Sequence, residues 1–260
     1  MNIDITPLVS GRIEAFLLVF VRLSAFLMAA PVFSNRTIPI RIRVLSGLVF
    51  AFTFLPLVPP LAAADTLTPL GLAIMIANEA LLGVILGFVA SALLFAVQIG
   101  GELLGLQIGF GVGSIIDPGT ESQSVVTTEF LYLLCLLVFL TLNGHHLLFR
   151  AFAATLERAP LGEFRLTAPM IDMLARELST IFAAAFRVGA PVMAFLFVTS
   201  VALGIISRTM PQMNVFVLGF PIKILGSLVV LLISLPGLRI AFQEFTVRMG
   251  ENLTSFVGLL

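Results

Sequence analysis

Eight polar or ionisable side chains interrupt otherwise apolar stretches of this sequence: Arg22, Asn78, Glu79, Gln98, Glu102, Gln107, Arg187 and Lys223. Ionisable groups inside such runs are costly at membrane depth, and they face protein or water instead of lipid. Two kinds of chemistry follow. The residues can line a path for a solute or ion, or they can pair as opposite charges. Pairing can occur within the chain or between subunits, and sequence leaves both open.

Other residues invite chemical readings that their spacing denies. His145 and His146 are adjacent, so on a helix they point about 100° apart. They are the only histidines and Cys135 is the only thiol, too few ligands for a zinc site. Cys135 lies in an apolar run and reads as a small hydrophobe. The GFGVG stretch (109–113) lacks the order of a dinucleotide-binding loop and has no lysine. Asp117 and Glu121 read as a turn at Asp117-Pro118-Gly119 and a helix cap. No nucleophile elbow is present. The sequence therefore predicts no catalytic centre, metal or cofactor.

The surrounding chain explains why charge is so scarce. Of 260 residues, 59% are hydrophobic and 11% charged, with a formal net charge of zero. Soluble domains average about 45–50% apolar and about 25% charged, so this is an integral membrane protein. Zero net charge with scattered charges gives no sign of a nucleic-acid partner. Thirteen arginines accompany the single lysine, Lys223, a bias that suits buried or interfacial pairing. The N-terminal MNIDITPLVSGRIE does not resemble a cleavable signal.

Six apolar segments, at about 13–34, 44–64, 70–100, 125–142, 180–206 and 213–238, each look long enough to span a bilayer. The expected fold is all-α, with the last segment followed by a short amphipathic tail carrying Arg239, Glu244, Arg248 and Glu251. Charge bias fails to orient these spans. Placing Arg36, Arg41 and Arg43 inside puts Arg150, Arg158, Arg165 and Arg176 outside by simple alternation. Residues 70–108, if helical throughout, would reach about 60 Å, twice the hydrocarbon thickness. A break, a re-entrant hairpin or a course buried in protein is required. Pro31, Pro56, Pro191, Pro221 and Pro236 predict kinks unless neighbours compensate.

Two sets recur at intervals of four, mostly of small residues: Glu79, Gly83, Gly87 and Ser91, then Gly101, Gly105 and Gly109. Each set shares one helix face and lets another backbone approach, in the same chain or a neighbouring one. Between two apolar runs sits GLQIGFGVGSIIDPG (105–119), glycine-rich and uncharged until Asp117.

Several stretches together resemble the FliR family of the flagellar export apparatus. They are Asn78-Glu79 with Gly83 and Gly87, GGELLGLQIGFG (100–111), Asp117-Pro118, Asn143-Gly144-His145-His146-Leu147-Leu148, Ala159-Pro160-Leu161-Gly162, and ISRTMPQMNVFVLGFPIKILG (206–226). The resemblance covers essentially the whole chain and leans to the flagellar branch over the injectisome branch. It implies a subunit without enzymatic activity that joins FliP and FliQ in an inner-membrane export gate for unfolded flagellar proteins, beside an FlhB-like subunit. It implies kinked helical hairpins in an assembly lifted towards the periplasm. It also implies a FliP-like part at about 1–175 and a FliQ-like part at about 176–260.

By the same resemblance, the loop from Gln107 to Pro118 is a pore plug: Gln107, Gly109, Phe110, Gly111, Val112, Gly113, Ser114, Ile115, Ile116, Asp117 and Pro118. Its glycines would give mobility, and its apolar side chains would close a pore by dewetting. Arg22, Asn78, Glu79, Gly83, Gly87, Gln98, Gly101, Glu102, Gly105, Arg187, Arg208, Gln212, Asn214 and Lys223 are the expected packing and buried polar positions. The alternative function is a secondary transporter using Glu79, Glu102 and Arg187 at broken helices. Such a protein should carry an internal repeat, and only a faint echo joins VRLSAFLMAAPV to FRVGAPV.

Overall fold

The computed structural model describes residues 6–33, 38–59, 61, 68–109, 126–210, 212 and 215–260. Among them there are seven α-helices and no strands: α1 (Thr6–Ala29), α2 (Ile40–Phe54), α3 (Pro69–Ile108), α4 (Val126–Thr141), α5 (Gly144–Arg158), α6 (Ala168–Thr209) and α7 (Val215–Gly258). A 3-10 turn, Leu55–Leu57, extends α2 and absorbs Pro56.

Local chemistry sets several boundaries. Pro69 opens α3 at a position where its missing N–H costs nothing, and the Thr68 hydroxyl accepts from the Gly71 N–H at 3.1 Å. Gly109 ends α3 at φ +104°, a left-handed termination that glycine accepts without strain. Asn143, at φ +57°, ends α4 and starts α5 at once, with a 69° bend between the two helices.

The chain divides into two compact units. The first comprises Met1–Ala92, Asn143–Glu177 and Val247–Leu260. Its core is built on Leu18, Leu23, Phe26, Leu82, Leu86 and Phe152, all essentially inaccessible. Phe26 stacks on Phe152 at 5.6 Å between ring centres, and Phe54 tilts against the same ring at 5.3 Å. The second unit comprises Leu93–Leu142 and Leu178–Thr246. It buries Val97, Leu104, Leu131, Phe139, Val188 and Phe242.

The expected six spans become fewer. Four helices are long and apolar enough to cross a membrane: α2 with its 3-10 extension (Ile40–Leu57), α3, α6 and most of α7. The bent α4–α5 pair makes a fifth if taken as one span. The segment at 13–34 falls out because Arg12, Glu14 and Arg22 crowd charge into α1. The segment at 125–142 falls out alone because α4 has only 16 residues. The interval 143–179, between the fourth and fifth apolar segments, forms α5 and the start of α6. The amphipathic tail with Arg239, Glu244, Arg248 and Glu251 continues α7 to Gly258, since helix formation tolerates charges that break an apolar window.

Of the three solutions offered for the over-long third segment, the chain adopts the protein-buried course. α3 runs unbroken for 40 residues, and 72% of its most apolar window is buried. Pro191 lies inside α6, and Pro221 and Pro236 lie inside α7, and both helices run on without a break.

Candidate functional site

In the first unit, the four-residue stripe on α3 meets α1. A side chain at Gly83 would meet the Ala25 Cβ at 2.9 Å and the Phe26 nitrogen at 3.0 Å. One at Gly87 would meet the Ala29 Cβ at 2.5 Å. The Ser91 hydroxyl donates to the Ala29 carbonyl. These missing side chains thus serve packing within the chain, the first of the two readings left open.

The approach delivers Glu79 to Arg22. Both side chains are fully buried, and the guanidinium grips the carboxylate through two nitrogens: Nε to Oε2, and Nη2 to Oε1 at 3.0 Å. Such a fork matches carboxylate geometry and is the strong form of ion pair. The remaining donors are also used, by the Thr155 carbonyl at 2.9 Å and the Ala159 carbonyl at 3.1 Å. Glu79 Oε1 in turn accepts the Gly162 N–H at 2.6 Å, and the Asn78 amide donates to the Gly162 carbonyl at 3.1 Å. Gly162 has φ +80°. One polar knot therefore ties α1, α3, α5 and the loop after it.

Sequence reasoning singled out Arg22, Asn78 and Glu79 without their common partners Thr155, Ala159 and Gly162. The Ala159-Pro160-Leu161-Gly162 motif was visible, but nothing local tied it to residues about eighty positions away.

In the second unit, the glycine-rich end of α3 packs closely as well. A side chain at Gly100 would meet the Ala185 carbonyl at 2.8 Å, and one at Gly101 the Thr128 Cα at 2.6 Å. Gly105 is buried, and its carbonyl accepts the Gly109 N–H at 3.1 Å. A side chain at Gly109 would meet the Phe220 ring at 2.5 Å. Arg187 pairs with Glu244 at 3.1 Å, both about half exposed, and its guanidinium lies 5.9 Å from the Phe245 ring centre. Gln98 and Lys223 are half-buried, while Glu102, Gln107, Arg208 and Gln212 are exposed. Gln107 and Lys223 line the same cavity of about 380 Å³.

Phe110, Gly111, Val112, Gly113, Ser114, Ile115, Ile116, Asp117 and Pro118 of the expected plug lie outside the described residues, as does Asn214. The His145 and His146 rings lie with centres 4.3 Å apart, tilted by 55° to one another. Among the described residues no three His, Cys, Asp or Glu side chains gather as a metal site would require. The transporter reading loses its footing: α3 is unbroken at Glu79, whose carboxylate is already engaged.

Comparison with known proteins decides the family. The profile described as "Bacterial export proteins, family 1" matches residues 13–249. The Flagellar biosynthetic protein FliR of Bacillus subtilis is 34% identical over 262 residues, covering 94% of this chain and 96% of the relative. The Escherichia coli protein of the same name is 32% identical over 204 residues, covering 78% and 77%. That of Aquifex aeolicus is 28% identical over 233 residues, covering 88% and 90%.

The chain belongs to the FliR family. It is an all-helical flagellar export membrane protein, and the Arg22–Glu79 knot holds helices of its first unit together.

Proposed function

We propose that this FliR-family chain is a subunit of the flagellar export gate, assembling with FliP, FliQ and an FlhB-like subunit in the bacterial inner membrane. Unfolded flagellar proteins pass through that assembly, which is raised towards the periplasm, and the chain itself performs no catalysis. Residues 1–175 play the FliP-like part and 176–260 the FliQ-like part. The segment from Gln107 to Pro118 plugs the channel until substrate arrives.

The observation that carries the plug reading is the end of α3. Gly109 turns the chain out of a buried helix at φ +104°, tight against Phe220, and the next residues in sequence are Phe110, Gly111, Val112 and Gly113. A glycine there satisfies both the backbone angle and the close approach. An apolar, glycine-rich segment after such a turn can exclude water from a narrow pore and still yield to a passing chain.

The test is ion leakage across the inner membrane of cells producing the protein, with its partners, lacking residues 109–114. A leak absent from the wild type is expected. An assembled complex that stays tight refutes the plug.

A further inference from the structure

We propose that the second unit carries a binding site for the headgroup of an anionic phospholipid, with Lys223 as the counter-charge of the phosphate. The site lies where the end of α3 meets α6 and α7. Two hollows open there, of about 380 Å³ and about 470 Å³, and both are lined by Gln107, Ser200 and Lys223. The three side chains come from three helices. None of them makes a hydrogen bond or ion pair among the described residues.

Charge accounting sets Lys223 apart. The other two cations inside apolar runs have carboxylates of their own: Arg22 has Glu79 and Arg187 has Glu244. Lys223 is the lone lysine of the chain, half-buried, and no carboxylate lines either hollow. A cation at such a place requires an anion or a route to water. An ammonium, a hydroxyl and an amide together offer several donors, which suits the oxygens of a phosphate diester.

The walls fit the remainder of a lipid. Ile108, Leu203 and Phe220 line the first hollow, and Met193, Leu196 and Phe197 the second. Phe197 is 70% exposed, and the α7 span is mostly unburied, so the hollows open onto an apolar surface. Ser200 lies nine residues before the end of α6 and Lys223 eight after the start of α7. At about 1.5 Å per residue, both sit about 12–14 Å from the turn that joins the helices. Arg208 and Gln212, both exposed, mark that turn as a polar end. A long lysine stem reaches towards such an end, where lipid phosphates reside. A carboxylate from a neighbouring subunit would match the charge and leave most of both hollows empty.

The test uses the full chain, purified with its partner subunits in detergent and stripped of lipid. Native mass spectrometry then follows titration with palmitoyl-oleoyl phosphatidylglycerol, phosphatidylethanolamine of the same chains, or inorganic phosphate. Phosphatidylglycerol adducts are expected to exceed phosphatidylethanolamine adducts, and to fall about tenfold in Lys223→Gln, the loss of one charge-assisted contact. Lys223→Arg should retain them.

Should Lys223→Gln fail to fold, Ser200→Ala and Gln107→Leu carry the test, each lowering the adducts about two- to threefold. Equal binding of both lipids overturns the proposal, as does unchanged binding in these variants. Competition by inorganic phosphate at equal concentration would assign the site to free phosphate. Loss of partner subunits from Lys223→Gln with unaltered lipid binding would assign Lys223 to a carboxylate of another subunit.

Discussion

Removing both halves of the buried knot should destabilise the protein far less than the two single removals added together. In Glu79→Ala the Arg22 guanidinium stays fully buried and keeps only its bonds to the Thr155 carbonyl and hydroxyl and the Ala159 carbonyl, none of them charged. The Gly162 N–H loses its acceptor at the same time. Breaking a buried pair from one side costs about 3–5 kcal/mol, because the surviving charge is uncompensated. Arg22→Met should cost a similar amount through the stranded carboxylate.

The double variant removes both charges and fills part of the space with a flexible apolar side chain. It still strands the Gly162 N–H and the Ala159 carbonyl. The Thr155 carbonyl keeps its helical bond from the Ala159 N–H at 3.0 Å. Two orphaned backbone groups cost about 1–3 kcal/mol each. The double variant should therefore lie close to either single variant, well short of their sum. The apparent melting temperature of the purified complex, followed by size-exclusion chromatography, reads this out. At about 2–4 °C per kcal/mol, each single variant should lose about 6–20 °C. Strictly additive losses, or singles within 2 °C of wild type (about 1 kcal/mol or less), would refute the reasoning that Arg22 and Glu79 act as one buried unit.

Three further outcomes follow from local geometry. Gly87→Leu must push α1 from α3, since the Ala29 Cβ lies 2.5 Å from where its own Cβ would sit, and about 1–3 kcal/mol of overpacking should lower the melting temperature and swimming. Gly237→Ala, with nothing within 4 Å in a helix interior, should be neutral or stabilising by about 0.5–1 kcal/mol in the same melting assay. Asn143→Val places a β-branched residue at φ +57° in the α4–α5 bend and should cost about 1–2 kcal/mol, whereas Asn143→Gly should be tolerated; thermal unfolding of the two variants checks the difference.

Membrane residence, helical class and the four-residue stripes were legible in the sequence because they depend on neighbours along the chain. Apolar content sets the solvent, and a period of four puts Glu79, Gly83, Gly87 and Ser91 on one face whatever that face meets. Span count was not legible, because a hydropathy reading joins and cuts segments by polarity. The backbone carried α7 through Arg239 and Glu244, and cut α4 short at Thr141. The FliR resemblance lay in the order of motifs such as Asn78-Glu79 and Ala159-Pro160-Leu161-Gly162.

What those motifs do for one another was decided only by the tertiary structure. Arg22 and Glu79 are 57 positions apart, and Glu79 and Gly162 are 83 apart. No local pattern records such a meeting, because side-chain pairing over that separation depends on how whole helices dock. Sequence could name Arg22, Glu79, Arg187 and Lys223 as charges in apolar surroundings. Packing alone sorted them, giving Arg22 and Arg187 partners of their own and leaving Lys223 beside Gln107 and Ser200 in an open hollow.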